Sequence, residues 1–417
     1  MVASVSDRTS TFVDNMKLPV HRWFRFSAGF SADWVKQVIR ESSERPAKKI
    51  LDPFAGSGTT LIAAQQSGIP AIGIESHPFV HEVARIKLLW TEDTANFLQF
   101  ADGILAKAEA RKGSAQSYAP LIQQCFPEDV LIELDSLKKA WTNQADGGAS
   151  SSLAWLALTK ILRACSPVGT SQMELIQPKK TKQNVSRPFA AFLTQVNVML
   201  KDMFFMQSSN TMPDAMILQG DARLCSQVAS DSVDLVISSP PYINNFDYAD
   251  VTRLEMTFWG TVKNWADLHE KVRRHLIRSC AQHMSHEKEN LSELLEHDLL
   301  QPIVHQLRLA TETLGVERLN HGGKKNYHLM VAAYFLDMAK TWVALRRVCQ
   351  KGSRVCFVVG DSAPYGVYVP VHEWLGQLAV AAGFRRFSFE RTRDRNTKWK
   401  NRKHRVPLCE GRLWVEG

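Results

Sequence analysis

Two stretches of this 417-residue chain carry side chains whose types and spacing can do chemistry. The first runs Asp52-Pro53-Phe54-Ala55-Gly56-Ser57-Gly58-Thr59-Thr60. It directly follows the short strand-like segment KKIL and directly precedes a helical pattern. Backbone N–H groups at such a helix start favour an anion, whether carboxylate or phosphate. A mononucleotide phosphate loop needs a lysine before its last Ser or Thr, to reach the terminal phosphates. Here Gly58 is followed by Thr59 and Thr60. A dinucleotide loop needs a third glycine so that helix and strand can pack closely, and only Gly56 and Gly58 are present. Asp52 can accept a hydrogen bond from an ammonium group, and Glu75, ending the next apolar run, can accept both hydroxyls of a ribose. A zwitterionic amino acid joined to a nucleoside, S-adenosylmethionine, meets all three demands. A tight turn that caps a helix would use the same residues without a ligand.

The second stretch is Ser239-Pro240-Pro241-Tyr242, directly after the apolar run VDLVIS. Two prolines at a strand end make a rigid, extended exit with few N–H donors. Carbonyls there can accept from an amine while a planar ring stacks on Tyr242. An ordinary proline-rich turn would look the same in isolation. Asn244, Asn245, Asp247 and Tyr248 follow closely and are candidates for the same pocket or for shaping its loop.

Taken together, DPFAGSGTT and SPPY resemble the amino DNA methyltransferases, which methylate N4 of cytosine or N6 of adenine. Residues 21–41, HRWFRFSAGFSADWVKQVIRE, are similar to the segment that closes over the methionine end of the cofactor in that family. LQGDA, with Asp221, resembles the segment that contacts the cofactor adenine. LRRVCQKGSRVCFVVGDS and GFRRFSFERT resemble its later strands. The resemblance covers roughly residues 1–95, 215–260 and 325–417. It implies that Asp52, Phe54, Gly56 and Gly58 form the cofactor loop. Phe30, Ser31, Thr59 and Thr60 would lie near the methionine carboxylate, Glu75 on the ribose and Asp221 on the adenine. Ser239 and the Pro240 carbonyl would hold the target amine, with Pro241 in the same turn and Tyr242 stacked on a flipped base. Serine at 239 is the residue that cytosine-N4 enzymes mostly carry, where adenine-N6 enzymes mostly carry Asp or Asn. Expected alternatives are an N6-adenine enzyme, an RNA base-amine methyltransferase and a non-catalytic DNA-binding subunit. A cytosine-C5 enzyme needs a nucleophilic cysteine, usually after proline, and none of the seven cysteines follows one. Cys225 and Cys356 are expected to be packing residues.

The elements that must position these groups follow from periodicity. KKILD, helix TTLIAAQQSG and PAIGIE make a βαβ unit, continued by helix HPFVHEVARIKLLWT. AMILQGDA and VDLVISSPPY are further strands. YFLDMAKTWVALRRVCQKG reads as a helix stopped by glycine, followed by strand RVCFVVGDS, helix VPVHEWLGQLAVAAG and strand FRRFSFERT. The expected fold is α/β: a doubly wound, mostly parallel, Rossmann-like sheet assembled from residues 1–95, 211–261 and 319–417. Residues 96–210 and 262–318 read as helical insertions, without strands in the first. The second, with part of the first, is the candidate target-recognition region. Residues 1–20 read as a polar tail.

Composition sets the partners. Hydrophobic residues make up 45% and charged residues 22%, enough for a substantial core. No run of about 18 apolar residues occurs, so no membrane partner is expected, and the cytoplasm is the expected location, in contact with the nucleoid. The odd cysteine count without a C-x-x-C signals neither a disulfide framework nor a zinc site. A net charge of +9 favours a polyanion. Residues 391–405 concentrate that charge, with eight Arg or Lys against one Asp. Arg391, Arg393, Arg395, Lys398, Lys400, Arg402 and Lys403 are candidate phosphate contacts and Trp399 a candidate stacking or wedging residue. Double-stranded DNA is the expected partner, with a restriction endonuclease for the same site as a possible companion.

Overall fold

The computed structural model describes residues 12–42, 47–170, 176–182, 184–208, 213–244, 246–285, 290–395 and 406–417. Helix α1 (Ala32–Glu41) precedes β1 (Ile50–Asp52), α2 (Thr59–Gln66), β2 (Ala71–Glu75) and α3 (Pro78–Lys87). After the first insertion come β3 (Ala215–Gln219) and β4 (Val233–Ser238). After the second come α4 (Tyr327–Val348), β5 (Cys349–Gly360), α5 (Val371–Ala381), β6 (Arg386–Arg395) and β7 (Leu408–Glu416). Among the described residues the main sheet orders these strands β3-β2-β1-β4-β5-β7-β6. β3, β2, β1, β4 and β5 pair in parallel, and β7 runs antiparallel to both β5 and β6.

This is the expected α/β sheet. Every residue of β1 is buried, as are all but one of β4, because helices cover both faces of these central strands. The chain lays β2 and β3 to one side of β1, then returns to place β4 and β5 on the other. The winding direction therefore switches between the carboxyl ends of β1 and β4, where open α/β sheets leave a crevice.

Three local expectations are revised. The helix read through the glycine of QKG instead ends at Val348, and β5 begins at once. Gly352, at φ +80°, lies inside that strand and donates its N–H to the carbonyl of Gly417. The first insertion contains a small antiparallel hairpin, Val168–Thr170 with Ile176–Thr181, besides its helices. The supposed polar tail is also partly built into the fold. Asn15 is fully buried, its Nδ2 donating to the Phe30 carbonyl at 2.9 Å and its Oδ1 accepting from the Ala32 N–H at 2.9 Å. Residues 1–11 lie outside the described residues.

The long helices of the first insertion, Thr94–Ala110, Glu128–Gln144, Ala149–Cys165 and Pro188–Gln207, do not enclose a core of their own. Phe97, Leu134, Leu156 and Met199 join one apolar cluster with Val20, Trp23 and Phe24 ahead of α1 and with Val83 of α3. Buried Asp202, on the last of these helices, ties the two parts. It accepts from the Val20 N–H at 3.0 Å, Trp23 Nε1 at 2.9 Å and Arg22 Nε at 3.0 Å. The second insertion, with helix Val304–Asn320, packs on α4 instead. Cys225 and Cys356 are buried packing residues, as their surroundings in the sequence imply.

Candidate functional site

A cleft of about 680 Å³, partly open to solvent, lies at the switch point. The end of β1 supplies Phe54, Ala55, Gly56, Ser57 and Thr59; the end of β2 supplies Glu75, Ser76 and His77; the end of β4 supplies Ser239 and Pro241. Phe26 and Phe30 close it from the segment before α1, and Tyr248, Leu276 and Ile277 from the chain after β4. The two stretches that sequence separates by well over a hundred residues thus face one cavity.

Gly56 and Gly58 take φ of +53° and +86°, a region costly for side chains with a Cβ. That conformation lets the loop turn from β1 into α2, which starts at Thr59 directly after Gly58. The loop is fixed from both sides. Asp52 Oδ1 accepts from the Phe54 N–H at 3.0 Å and from the Ser238 hydroxyl at 2.5 Å. Glu75 accepts from the Gly56 N–H and the His77 N–H, each at 2.8 Å. Asp52 Oδ2 is buried with no hydrogen-bond partner among the described residues. Burial pushes the Asp52 carboxyl up to about 6 and the Glu75 carboxyl up to about 7, in each case against the hydrogen bonds that favour the charged form. Two carboxyls poised to ionise near neutral pH thus flank the loop, Glu75 on the cleft and Asp52 behind its wall.

His77 was not singled out in the sequence. Its Nδ1 caps α3 by accepting from the Val80 N–H at 3.4 Å, so Nε2 carries the proton and donates to Thr252 Oγ1 at 2.9 Å. Burial drives its pKa down to about 3, so the ring is neutral. The bond joins the end of β2 to the segment after β4. The only local hint was its position between Glu75 and the proline that opens α3.

The chain beyond β4 is pinned at several points. Ser239 Oγ reaches the Val358 carbonyl at 3.4 Å. The Tyr242 N–H donates to the Tyr248 hydroxyl at 3.0 Å, and the Ser362 hydroxyl donates to the Ile243 carbonyl. Asp247 is buried and forks onto Arg273, with Nε at 3.0 Å and Nη2 at 2.5 Å. Of the four residues following Tyr242 that could line the pocket, Tyr248 does so. Asn244 accepts from the Phe246 N–H at 3.2 Å, and Asn245 lies outside the described residues.

The other expected residues fall around the cleft. Asp52, Thr60 and Pro240 are buried behind its wall, with Ser31 and Gly58. Tyr242 does not line it; the Arg395 guanidinium carbon sits 5.2 Å from its ring centre. Asp221, expected on an adenine, lies outside the cleft lining and accepts from the Arg223 backbone N–H and Nε at 2.8 and 2.9 Å. The three described arginines of the basic run are also engaged. Arg391 pairs with Asp394, Arg393 with Glu410 at 2.9 Å, and Arg395 donates to the Asp361 carbonyl at 2.7 Å. Lys398, Trp399, Lys400, Arg402 and Lys403 lie outside the described residues. Asp361, His372 and Cys409 bring donor atoms within 4.8 Å of one another, a convergence that cysteine spacing did not signal. Their contacts have a simpler account, since Asp361 accepts from Tyr368 at 2.9 Å, His372 at 3.0 Å and Cys409 at 3.1 Å.

Comparison with known proteins bears on this geometry. The family model for DNA methylase matches residues 7–85, from the segment ahead of α1 through the Gly-rich loop to α3. Type II methyltransferase M.AvaI from Nostoc sp. is 25% identical over 405 residues, spanning 91% of this chain and 82% of its own. Over residues 7–85 the chain is similar to the DNA methylase family. Type II methyltransferase M.BsoBI from Geobacillus stearothermophilus is also 25% identical, over 89% of this chain and 80% of its own. M.MvaI from Kocuria varians is 24% identical over 55% of this chain and 54% of its own. The long alignments run through both insertions of this chain as well as its sheet. No described helix is long and apolar enough to cross a membrane.

Proposed function

We propose that this protein transfers the methyl group of S-adenosylmethionine to the N4 amine of a cytosine flipped out of duplex DNA. It would serve as the modification enzyme beside a restriction endonuclease, the setting that the type II names of its relatives point to. One observation carries the reading: Ser239 and Pro241 line the same cleft as the Gly-rich loop and Glu75. The fit to the methyl donor rests on the orphaned Asp52 Oδ2, the two carboxyls held near neutrality and the aromatic wall of Phe26, Phe30 and Phe54. Asp52 and the loop would hold its amino-acid end, and Glu75 its ribose. The bound cofactor supplies an electrophilic methyl group.

The chain's own residues do the rest. An exocyclic amine is a poor nucleophile because its lone pair is delocalised into the ring. Acceptors on its N–H bonds, Ser239 Oγ and the Pro240 carbonyl, draw the nitrogen toward tetrahedral geometry and free that pair. The same oxygens stabilise the cation that develops on nitrogen. Holding the amine in place supplies much of the rate, and the product cation sheds its proton to water without a strong base. A serine at 239 can accept from the amine and donate to cytosine N3, which supports cytosine over adenine. Flipping the base costs a few kcal/mol, offset in part by stacking on Tyr242.

Incubation with S-adenosylmethionine and either duplex DNA or tRNA, followed by digestion and nucleoside mass analysis, tests the reading. N4-methylcytosine in DNA supports it. N6-methyladenine corrects the base, methylated tRNA alone moves the substrate, and the absence of product leaves a non-catalytic DNA-binding subunit.

A further inference from the structure

Arg395 stands out in the basic run because it points back into the fold. Its side chain is only 18% exposed, and its guanidinium lies over the Tyr242 ring, 5.2 Å from the ring centre. It is anchored there twice, by donation to the Asp361 carbonyl at 2.7 Å and by Glu410, 3.8 Å from Nε. The anchor is itself fixed, since the Asp361 carboxylate collects Tyr368, His372 and Cys409. Gly360, the last residue of β5, makes room for it. A Cβ at position 360 would fall 2.6 Å from Arg395 Nη1 and 3.1 Å from Cδ. A planar guanidinium stacks well on an aromatic face and holds it against rotation.

From these contacts, and resting on the function proposed above, we infer that Arg395 is a positioning residue for the target base, acting through Tyr242 rather than through a DNA phosphate. With the Arg395 guanidinium over it, the Tyr242 ring is held in place before a base arrives, and the base must take the surface that Arg395 leaves open. Charge counting along residues 391–405 would assign this arginine to the phosphate backbone; its contacts assign it to the acceptor pocket.

Two variants separate these roles. Arg395→Ala removes the clamp and leaves Glu410 paired with Arg393. Gly360→Ala keeps the arginine but displaces the end of its flexible side chain. In protein labelled with 3-fluorotyrosine, the fluorine resonance assigned to Tyr242 by its loss in Tyr242→Phe should move in both variants. Each should lower kcat for duplex DNA roughly 10- to 100-fold, the scale of a misplaced reacting group. The double variant should be no worse than Arg395→Ala alone, because both act through one contact. The slope of log Kd against log salt should stay at the wild-type value. A Tyr242 resonance that neither variant moves overturns the inference whatever the activity. So does a salt slope shallower by about one with kcat unchanged, the signature of a lost phosphate contact. Wild-type protein that methylates no DNA overturns the functional reading instead, and the resonance still reports on the clamp.

Discussion

Ser238 donates its hydroxyl to Asp52 Oδ1 across 2.5 Å, so the last residue of β4 is bonded to the last residue of β1. Each residue is followed by one of the two functional loops, and both are fully buried. Ser238→Ala should leave the Asp52 carboxyl short of a donor and raise its pKa further above about 6. The expected loss of stability is about 1–3 kcal/mol, the usual penalty for an under-satisfied buried acceptor, read from urea unfolding. Calorimetry should show weaker S-adenosylmethionine binding. Unchanged stability would mean that this bond does not couple the loops.

Glu75 makes stability depend on pH. Its folded-state pKa, about 7, lies above its ordinary value of 4.5, so the native state binds the extra proton between those limits. Its contribution to stability is complete below about pH 4.5 and is lost as pH rises toward and past 7. Glu75→Gln should flatten the fall in Tm between pH 5 and pH 8, by on the order of 1–3 kcal/mol across the window. An identical pH profile in the variant would remove Glu75 from the account.

Tyr242 separates cofactor from target. It lies outside the cleft lining, so Tyr242→Ala should bind S-adenosylmethionine within about twofold of wild type while losing most turnover, because the flipped base loses its stacking partner. Undiminished methylation by the variant would contradict the proposed acceptor pocket.

Asp202 supports the site from a distance. Asp202→Ala strips the acceptor from Val20, Arg22 and Trp23 together, and the segment they anchor leads to Phe26 and Phe30 in the cleft. A loss of about 1–3 kcal/mol is expected, the penalty for leaving the buried Val20 and Trp23 donors unsatisfied. Denaturation reads it, and a loss below about 0.5 kcal/mol would place the docking energy in the apolar contacts alone.

Much of this was legible because local sequence and global fold agree. β1, β2, β4 and β5 are apolar runs in a sheet covered on both faces, and the positive-φ glycines mark the loop between β1 and α2. Other features depend on partners distant in sequence. The start of β5 hid behind Val348 because helix α4 runs into it without a break. Hairpin Val168–Thr170 with Ile176–Thr181 has strands too short and polar for a period to appear, and one contains Pro178. His77 is recognisable only once Thr252 stands beside it. The charge of Arg393 and Arg395 read as a free surface because Glu410 and the Asp361 carbonyl come from distant parts of the chain.

The central claim is that Ser239, in the cleft shared with the Gly-rich loop, directs a methyl group onto cytosine N4. Nucleoside mass analysis of genomic DNA from cells lacking other methylases, with and without this chain, tests it most directly. The account predicts N4-methylcytosine in the presence of the wild-type chain and its loss with Ser239→Ala. DNA without N4-methylcytosine, or with the same level from both proteins, would contradict it.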